Sequence, residues 1–302
     1  MRHESVLLNE IIELLKPKKG DRVIDCTLGD GGHAEAILNL IGEKGKLLGI
    51  DADPESLLRA KRYLYKFGEG AVFARDNFKD LKKIAQANGF EEVDAILMDL
   101  GWSSPQFEER GRGFSFEKDE PLDMRFDPND AKRETAAAIL NNSSKPELVK
   151  IFKQFGEEKF SDDIASAVVE KRAIEPVLTT KQLVGIILSV YREKLHTDKE
   201  VPWTGGSHPA TKIFQGLRIA VNQELESLKQ ALPQAVDLLA IGGRLAVITF
   251  HSLEDRIVKQ FFAGIAGKQI GLINKKPIGP DQQEIAINRR ARSAKVRAVI
   301  KL

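Results

Sequence analysis

The sequence predicts an α/β protein, a doubly wound parallel sheet interrupted by an inserted helical domain. Three observations lead there. Short apolar strands alternate with amphipathic helices through the first third of the chain, with short turns between them. That rhythm stops after Gly101, and a long stretch follows with helical periodicity but no convincing strand. The rhythm then resumes in the last third.

Each element follows from its pattern. Residues 6–15 read as a helix, with Val6, Leu7, Ile11, Leu14 and Leu15 at helical spacing, closed by Pro17 and Gly20. Strands are expected at 22–27, 46–50, 71–74 and 93–98, and helices at 34–41, 55–65 and 81–88. In the interruption, helices are expected at 131–141, 145–155, 161–172 and 180–191. Residues 201–209 are rich in Gly and Pro and read as a linker. Residues 210–239 form a long helical stretch, with a break expected at Pro233. Residues 244–250 are a fifth strand. Ser252-Leu-Glu-Asp255 reads as a capping box opening a helix to about residue 264. Residues 295–302 are a last strand. The expected domains are a discontinuous core, 1–105 with 207–302, and a helical insertion, 106–206.

Composition bounds the function classes. With 302 residues and 42% hydrophobic content, the chain can bury a sizeable core and is not of the disordered class. After Glu284 no acid follows, while Arg289, Arg290, Arg292, Lys295, Arg297 and Lys301 do. Such a tract suits an anionic partner such as nucleic acid, or is a solvated basic tail. The single cysteine, Cys26, excludes an intrachain disulfide and a thiolate zinc cluster. His3, His196 and His208 have no partners at metal-ligand spacing, so no metal is expected. The N-terminus does not read as a signal peptide, and no apolar run of about 18 residues occurs. The expectation is a cytoplasmic protein without a membrane span.

Strand one ends at Asp25 and leads into a turn holding Gly29, Gly31 and Gly32. Glycines there let the backbone turn tightly and approach a ligand, with a helix N-terminus behind them. Asp51, ending strand two, can accept hydrogen bonds from ribose hydroxyls. Gly29-x-Gly31-x-x-Ala34 also matches a dinucleotide fingerprint, and a turn that binds nothing is the plainer alternative. Two features favour a methyl donor. The Asp25 carboxylate repels a pyrophosphate but suits a cationic sulfonium bearing an amino group. Asp76-Asn77-Phe78 after strand three offers a polar group and a ring to adenine.

Strand four ends in Asp99-Leu-Gly-Trp-Ser-Ser-Pro-Gln106, at the sheet edge where ligands of open α/β sheets bind. Amino-group methylases of bases carry a short acid-or-Ser, Pro, aromatic motif at this place, and Ser103-Ser104-Pro105 beside Trp102 is a variation on it. An exocyclic amino group is a poor nucleophile, so a site must align it and accept its N–H hydrogens. Asp99, Ser103, Ser104 or a backbone carbonyl could accept; Ser103-Ser104-Pro105 could also be a plain turn. His251 follows strand five and could touch substrate or phosphate, while Glu254 and Asp255 read as helix-capping acids. His33 would meet the cofactor through its backbone. Arg110, Arg112, Phe114 and Arg125 stand in Arg–aromatic runs that suit a flexible single strand, or are parts of a surface loop.

His3-Glu-Ser-Val-Leu-Leu8, Thr27-Leu-Gly-Asp-Gly-Gly-His33, Asp99–Gln106, Arg112-Gly-Phe-Ser-Phe116, Pro121-Leu-Asp-Met-Arg125, His208-Pro-Ala-Thr-Lys212, Phe250–Arg256 and Arg292–Arg297 resemble, in order and over essentially the whole chain, a bacterial family. That family methylates the exocyclic N4 of a cytidine in small-subunit ribosomal RNA. The resemblance implies a class I methyltransferase whose helical insertion helps to recognise RNA. It implies S-adenosyl-L-methionine contacts at Gly31, Gly32, His33, Asp51, Phe78, Asp99 and Gln106. It further implies a decoding-region cytidine as substrate, in an assembled small subunit or a late precursor. Trp102 stands where the family has a small aliphatic residue, and Lys212 where arginine is common.

Overall fold

The computed structural model describes residues 5–101, 111–197, 201 and 208–302, and at residue 290 the backbone alone. It divides into two compact units, residues 1–103 with 225–302, and residues 104–224.

The first unit is built on a seven-stranded sheet. Its strands are β1 (Arg22–Asp25), β2 (Lys46–Asp51), β3 (Ala71–Arg75), β4 (Val93–Asp99), β5 (Leu239–Thr249), β6 (Ile270–Leu272) and β7 (Lys295–Lys301). Their order is β3-β2-β1-β4-β5-β7-β6. The first five are parallel, and β7 runs antiparallel to both β5 and β6. This is the doubly wound sheet that the alternation predicts. Order reverses between β1 and β4, so a crevice opens beyond their carboxyl ends.

Alternation along the strands explains why helices cover both faces. Val23, Leu47, Ala95, Leu97, Ala246 and Ile248 share a core with α1 (Leu8–Leu15), α2 (Gly32–Ile41) and α3 (Pro54–Tyr63). The intervening residues Ile24, Leu48, Ile96, Met98, Leu245 and Val247 share another with α4 (Leu81–Ala87) and with residues 225–238 and 252–265. Each buried Val, Leu, Ile or Met side chain among them contributes about 1.5–3 kcal/mol. Strand β6 was not expected: three residues are too few to show a period.

The second unit is helical: α5 (Ala136–Asn142), α6 (Lys145–Lys150) running into a π-helical turn (Ile151–Phe155), α7 (Ser161–Ile174), α8 (Thr180–Leu195) and α9 (Thr211–Asn222). Among its described residues the only extended pairing is the isolated bridge between Pro121 and Thr179. Helix α9 corrects the expected boundary at 207. Its apolar residues Ile213, Phe214 and Leu217 are buried, and Gln215 donates to the Phe155 carbonyl (3.0 Å), so it belongs with the helical unit.

Two helix ends also depart from expectation. The break in the 210–239 stretch falls at Gln223, in the left-handed region (φ 52°), and α10 (Glu224–Leu238) runs through Pro233. Pro233 is exposed, as is Lys229, the residue one turn earlier whose carbonyl a proline cannot bond. Helix α11 (Ser252–Ile265) is capped by His251 rather than Ser252. No helix among the described residues is long and apolar enough to cross a membrane.

Candidate active site

Three carboxylates stand at the carboxyl ends of adjacent strands: Asp25 on β1, Asp51 on β2 and Asp99 on β4. Local bonds fix each one. Asp25 accepts the Thr27 N–H (3.1 Å), and the Thr27 hydroxyl oxygen accepts the Asp99 N–H (2.7 Å), which ties the end of β1 to the end of β4. Asp51 accepts the Gly29 N–H on Oδ2 and the Asp53 N–H on Oδ1, both at 2.8 Å. Asp53 in turn caps α3 by accepting the Glu55 N–H (2.9 Å). Asp99 accepts the Gly101 N–H (3.0 Å).

The turn between these acids needs its glycines. Gly31 caps α2 at φ 86°, a conformation that L side chains rarely adopt. Gly32 lies against Ser5: a Cβ there would overlap the Ser5 hydroxyl oxygen. His33 follows, only 7% exposed. Its Nε2 donates to the Val6 carbonyl (3.0 Å), and its Nδ1 lies 3.6 Å from Asp99 Oδ2. The ring is thus engaged by the protein, and the His33 backbone stays in the first turn of α2 beside the glycines.

Electrostatics follow from burial. Asp25 is 1% exposed, and burial pushes its carboxyl up to about 6; His33 opposes the rise, while Asp99 and Asp51 add to it. Acids gathered in this way are suited to a cation. A pyrophosphate would meet repulsion from all three, and the Gly29 N–H that a phosphate could use is already given to Asp51. The chemistry of this donor set fits a sulfonium bearing an amino group and a ribose, and does not fit a dinucleotide.

Phe78 opens a 3-10 turn (Phe78–Asp80) after β3 and is half-buried against the core on the α4 side of the sheet. Asn77 caps that turn by accepting the Lys79 N–H (2.9 Å). The exposed Asp76 donates its N–H to the Asp51 carbonyl (3.2 Å), which places it beside the end of β2.

Ser103, Ser104, Gln106 and Arg110, and with them Trp102, lie outside the described residues, as does the side chain of Arg290. Arg292 and Arg289 are exposed in a 3-10 segment (Arg289–Ser293) leading into β7.

His251 and its neighbours form the N-terminus of α11. The Glu254 N–H donates to His251 Nδ1 (3.4 Å), and Glu254 Oε2 accepts the N–H of Phe250 (2.7 Å) and of His251 (3.3 Å). His251 Nε2 lies 3.1 Å from Glu254 Oε1. Glu254 caps the helix as expected, whereas Asp255 does not. Asp255 holds Arg297 on β7 with two bonds (2.7 and 3.1 Å), and that guanidinium keeps its carboxyl below the usual range.

In the helical unit, Arg112, Phe114 and Arg125, singled out for RNA, are committed to the fold itself. Arg112 is buried, and its Nη1 donates to the carbonyls of Arg125 and Phe126 (3.0 Å each). Phe114 is buried and stacks on Phe126 at 5.9 Å between ring centres. Arg125 grips Asp123 with two bonds (2.7 and 2.8 Å) and reaches the Asp130 carbonyl (3.1 Å). Asn222 of α9 accepts the Phe126 N–H (2.9 Å) and donates to the Met124 carbonyl (2.8 Å), which fastens the loop. These three residues therefore shape the loop from within instead of presenting free groups.

Sequence reasoning missed Thr27 and the Ser5–Leu7 segment. Thr27 acts across to a strand 72 residues away, and no local pattern announces such a partner. The His3–Leu8 motif was visible but carried no role.

Comparison with known proteins shows the family. The model of the MraW methylase family matches residues 1–302. The chain is 44% identical over 315 residues to ribosomal RNA small subunit methyltransferase H of Thermomicrobium roseum, covering 98% of this chain and 92% of that protein. It is 43% identical to the protein of the same name from Clostridium botulinum, covering 100% of this chain and 99% of that one. The chain belongs to the MraW methylase family.

Proposed function

We propose that this chain transfers a methyl group from S-adenosylmethionine to the exocyclic N4 of a cytidine in the decoding region of 16S ribosomal RNA. The observation that carries the reading is the trio Asp25, Asp51 and Asp99 at the carboxyl ends of β1, β2 and β4 around Gly29–Gly32. When bound there, the donor supplies an electrophilic methyl carbon on a positively charged sulfur. Asp51 takes the ribose hydroxyls, Phe78 lies along the adenine, and Asp25 with Asp99 offsets the donor's charge. The Gly31-Gly32-His33 backbone borders the amino-acid portion, with Gln106 as a further contact.

On the substrate side, the amino group must lie in line with the methyl carbon and give up a proton as its lone pair is spent. Asp99, Ser103 and Ser104 are the candidate acceptors. His251, Arg290 and Arg292 contribute contacts to the RNA, and Arg110, Arg112, Phe114 and Arg125 belong to the loop that shapes its path. The helical unit recognises the RNA, and an assembled small subunit or a late precursor is the particle acted on. A base within a structured region must first leave its stack.

The test uses tritiated S-adenosylmethionine with purified small subunits lacking base methylation, followed by nucleoside analysis. Label in N4-methylcytidine supports the proposal. Donor binding with label only on a DNA or protein acceptor would overturn it.

A further inference from the structure

The Ser5–Leu7 segment forms one wall of the glycine turn. Ser5 fills the space at the Gly32 α-carbon, and the Val6 carbonyl takes the His33 ring. Leu7 then turns through the left-handed region (φ 55°, ψ 35°) before α1 begins. A leucine in that region is strained, and no side chain of the helix itself caps the turn. The bond that holds it comes from the other end of the chain: the Leu7 N–H donates to Glu284 Oε1 at 2.7 Å, across 277 residues.

Glu284 is itself well placed. It lies on the short helix α12 (Gln282–Ile287), whose cap Asp281 accepts the Glu284 N–H (2.7 Å). The excursion carrying α12 is pinned at both sides. Ile278 pairs with Val296 of β7, and Ala291 and Ala294 are buried in the core that also holds Val6 and Leu7. The Glu284 carboxylate is therefore a fixed anchor and not a wandering surface charge.

We propose that Glu284 is a positioning residue for the methyl-donor site, acting through Leu7 and Val6 on the His33 ring and thereby on the wall of the glycine turn. This rests on the reading of that turn as the donor site. The chain of contacts is continuous: Glu284 to the Leu7 N–H, the Val6 carbonyl to His33 Nε2, and His33 Nδ1 facing Asp99. Loss of the carboxylate frees a strained leucine and lets the wall and the imidazole drift from the donor.

The experiment compares wild type, Glu284→Ala and Glu284→Gln by three readouts: affinity for S-adenosylmethionine at equilibrium, thermal midpoint without donor, and the ring-nitrogen spectrum of His33. Glutamine keeps an acceptor oxygen at the same place. The expected result is a donor affinity about tenfold weaker in the alanine variant, with most of it recovered by glutamine. The His33 ring, held as the Nε2–H tautomer by Val6, should change its signature in the alanine variant alone. Equal donor affinity in all three proteins would overturn the proposal, as would weakening matched by a general loss of folding with His33 unmoved. Absence of donor binding by wild type would instead remove the reading of the turn on which the proposal rests.

Discussion

The two units use the same residue types to opposite ends. At the carboxyl edge of the sheet, Asp25, Asp51 and Asp99 are brought together by topology, and each accepts a backbone N–H. In the helical unit, Asp123 is paired with Arg125, and Arg112 is spent on carbonyls. The sheet brings the three acids together at the ends of adjacent strands, with His33 Nδ1 3.6 Å from Asp99. Residue type alone therefore does not mark function; the same acids are gathered at a strand edge in one unit and matched within a loop in the other.

This contrast can be broken by substitution, beginning where the effect is greatest. Asp99→Ala should lower methyl transfer by about 10²–10³-fold while leaving the fold intact, as expected for a group that acts on developing charge. Near-normal turnover in single-round assays would remove Asp99 from the reaction.

Asp25→Asn acts on stability as well. A buried carboxyl whose folded value is raised to about 6 holds its proton while the unfolded chain releases it. Stability therefore falls as pH rises from about 4 to about 6, and the full penalty, roughly 3 kcal/mol, persists above that range. The asparagine variant should be more stable than wild type in urea at pH 8, equal to it near pH 4, and weaker in donor binding. A variant less stable at pH 8 would show that the charge is compensated in a way the geometry does not suggest.

Arg112→Ala is the counterpart in the helical unit. Leaving the Arg125 and Phe126 carbonyls without their donor should cost about 2 kcal/mol by urea denaturation. The expected change in donor affinity is none. The Asp123–Arg125 pair contributes less, about 1 kcal/mol in a double-mutant cycle. Burial works to raise the Asp123 carboxyl, but the bonds from Arg125 prevail and hold it below its usual value. That stability is present above about pH 4 and is lost as pH falls further. A cycle that gave no coupling would mean the pair is ornamental. The smallest effect belongs to Arg292→Ala at the exposed basic segment. RNA affinity should fall modestly, and the slope of log affinity against log salt should decrease by about 1. An unchanged slope would leave that tract as a solvated tail.

Much of the core was legible because its signals are local. Strand and helix alternate with short turns, so Asp25, Asp51 and Asp99 could be assigned to strand ends from sequence alone. Gly31 and Gly32 stood between them, where a tight turn was needed. What stayed hidden depends on distant partners or on competition between partners. Thr27 bridges two strands, and Glu284 reaches back to Leu7. His251 outcompetes Ser252 as a cap because Glu254 can bond back to the backbone before it. Pro233 lies inside its helix at an exposed position, where a missing backbone bond costs less than in the core. The Arg–aromatic runs left two readings open, a single-strand contact or a surface loop, because sequence cannot tell an exposed arginine from one that, like Arg112, props a loop.

On the proposed reading, the sheet's carboxyl edge reads positive charge. Its most direct test measures the affinities of S-adenosylmethionine and of the uncharged thioether S-adenosylhomocysteine, in wild type and in Asp25→Asn. If the edge reads the sulfonium, the substitution weakens the charged donor several-fold more than the thioether. Equal weakening of the two ligands would contradict the account, because the carboxylates would then serve shape and not charge.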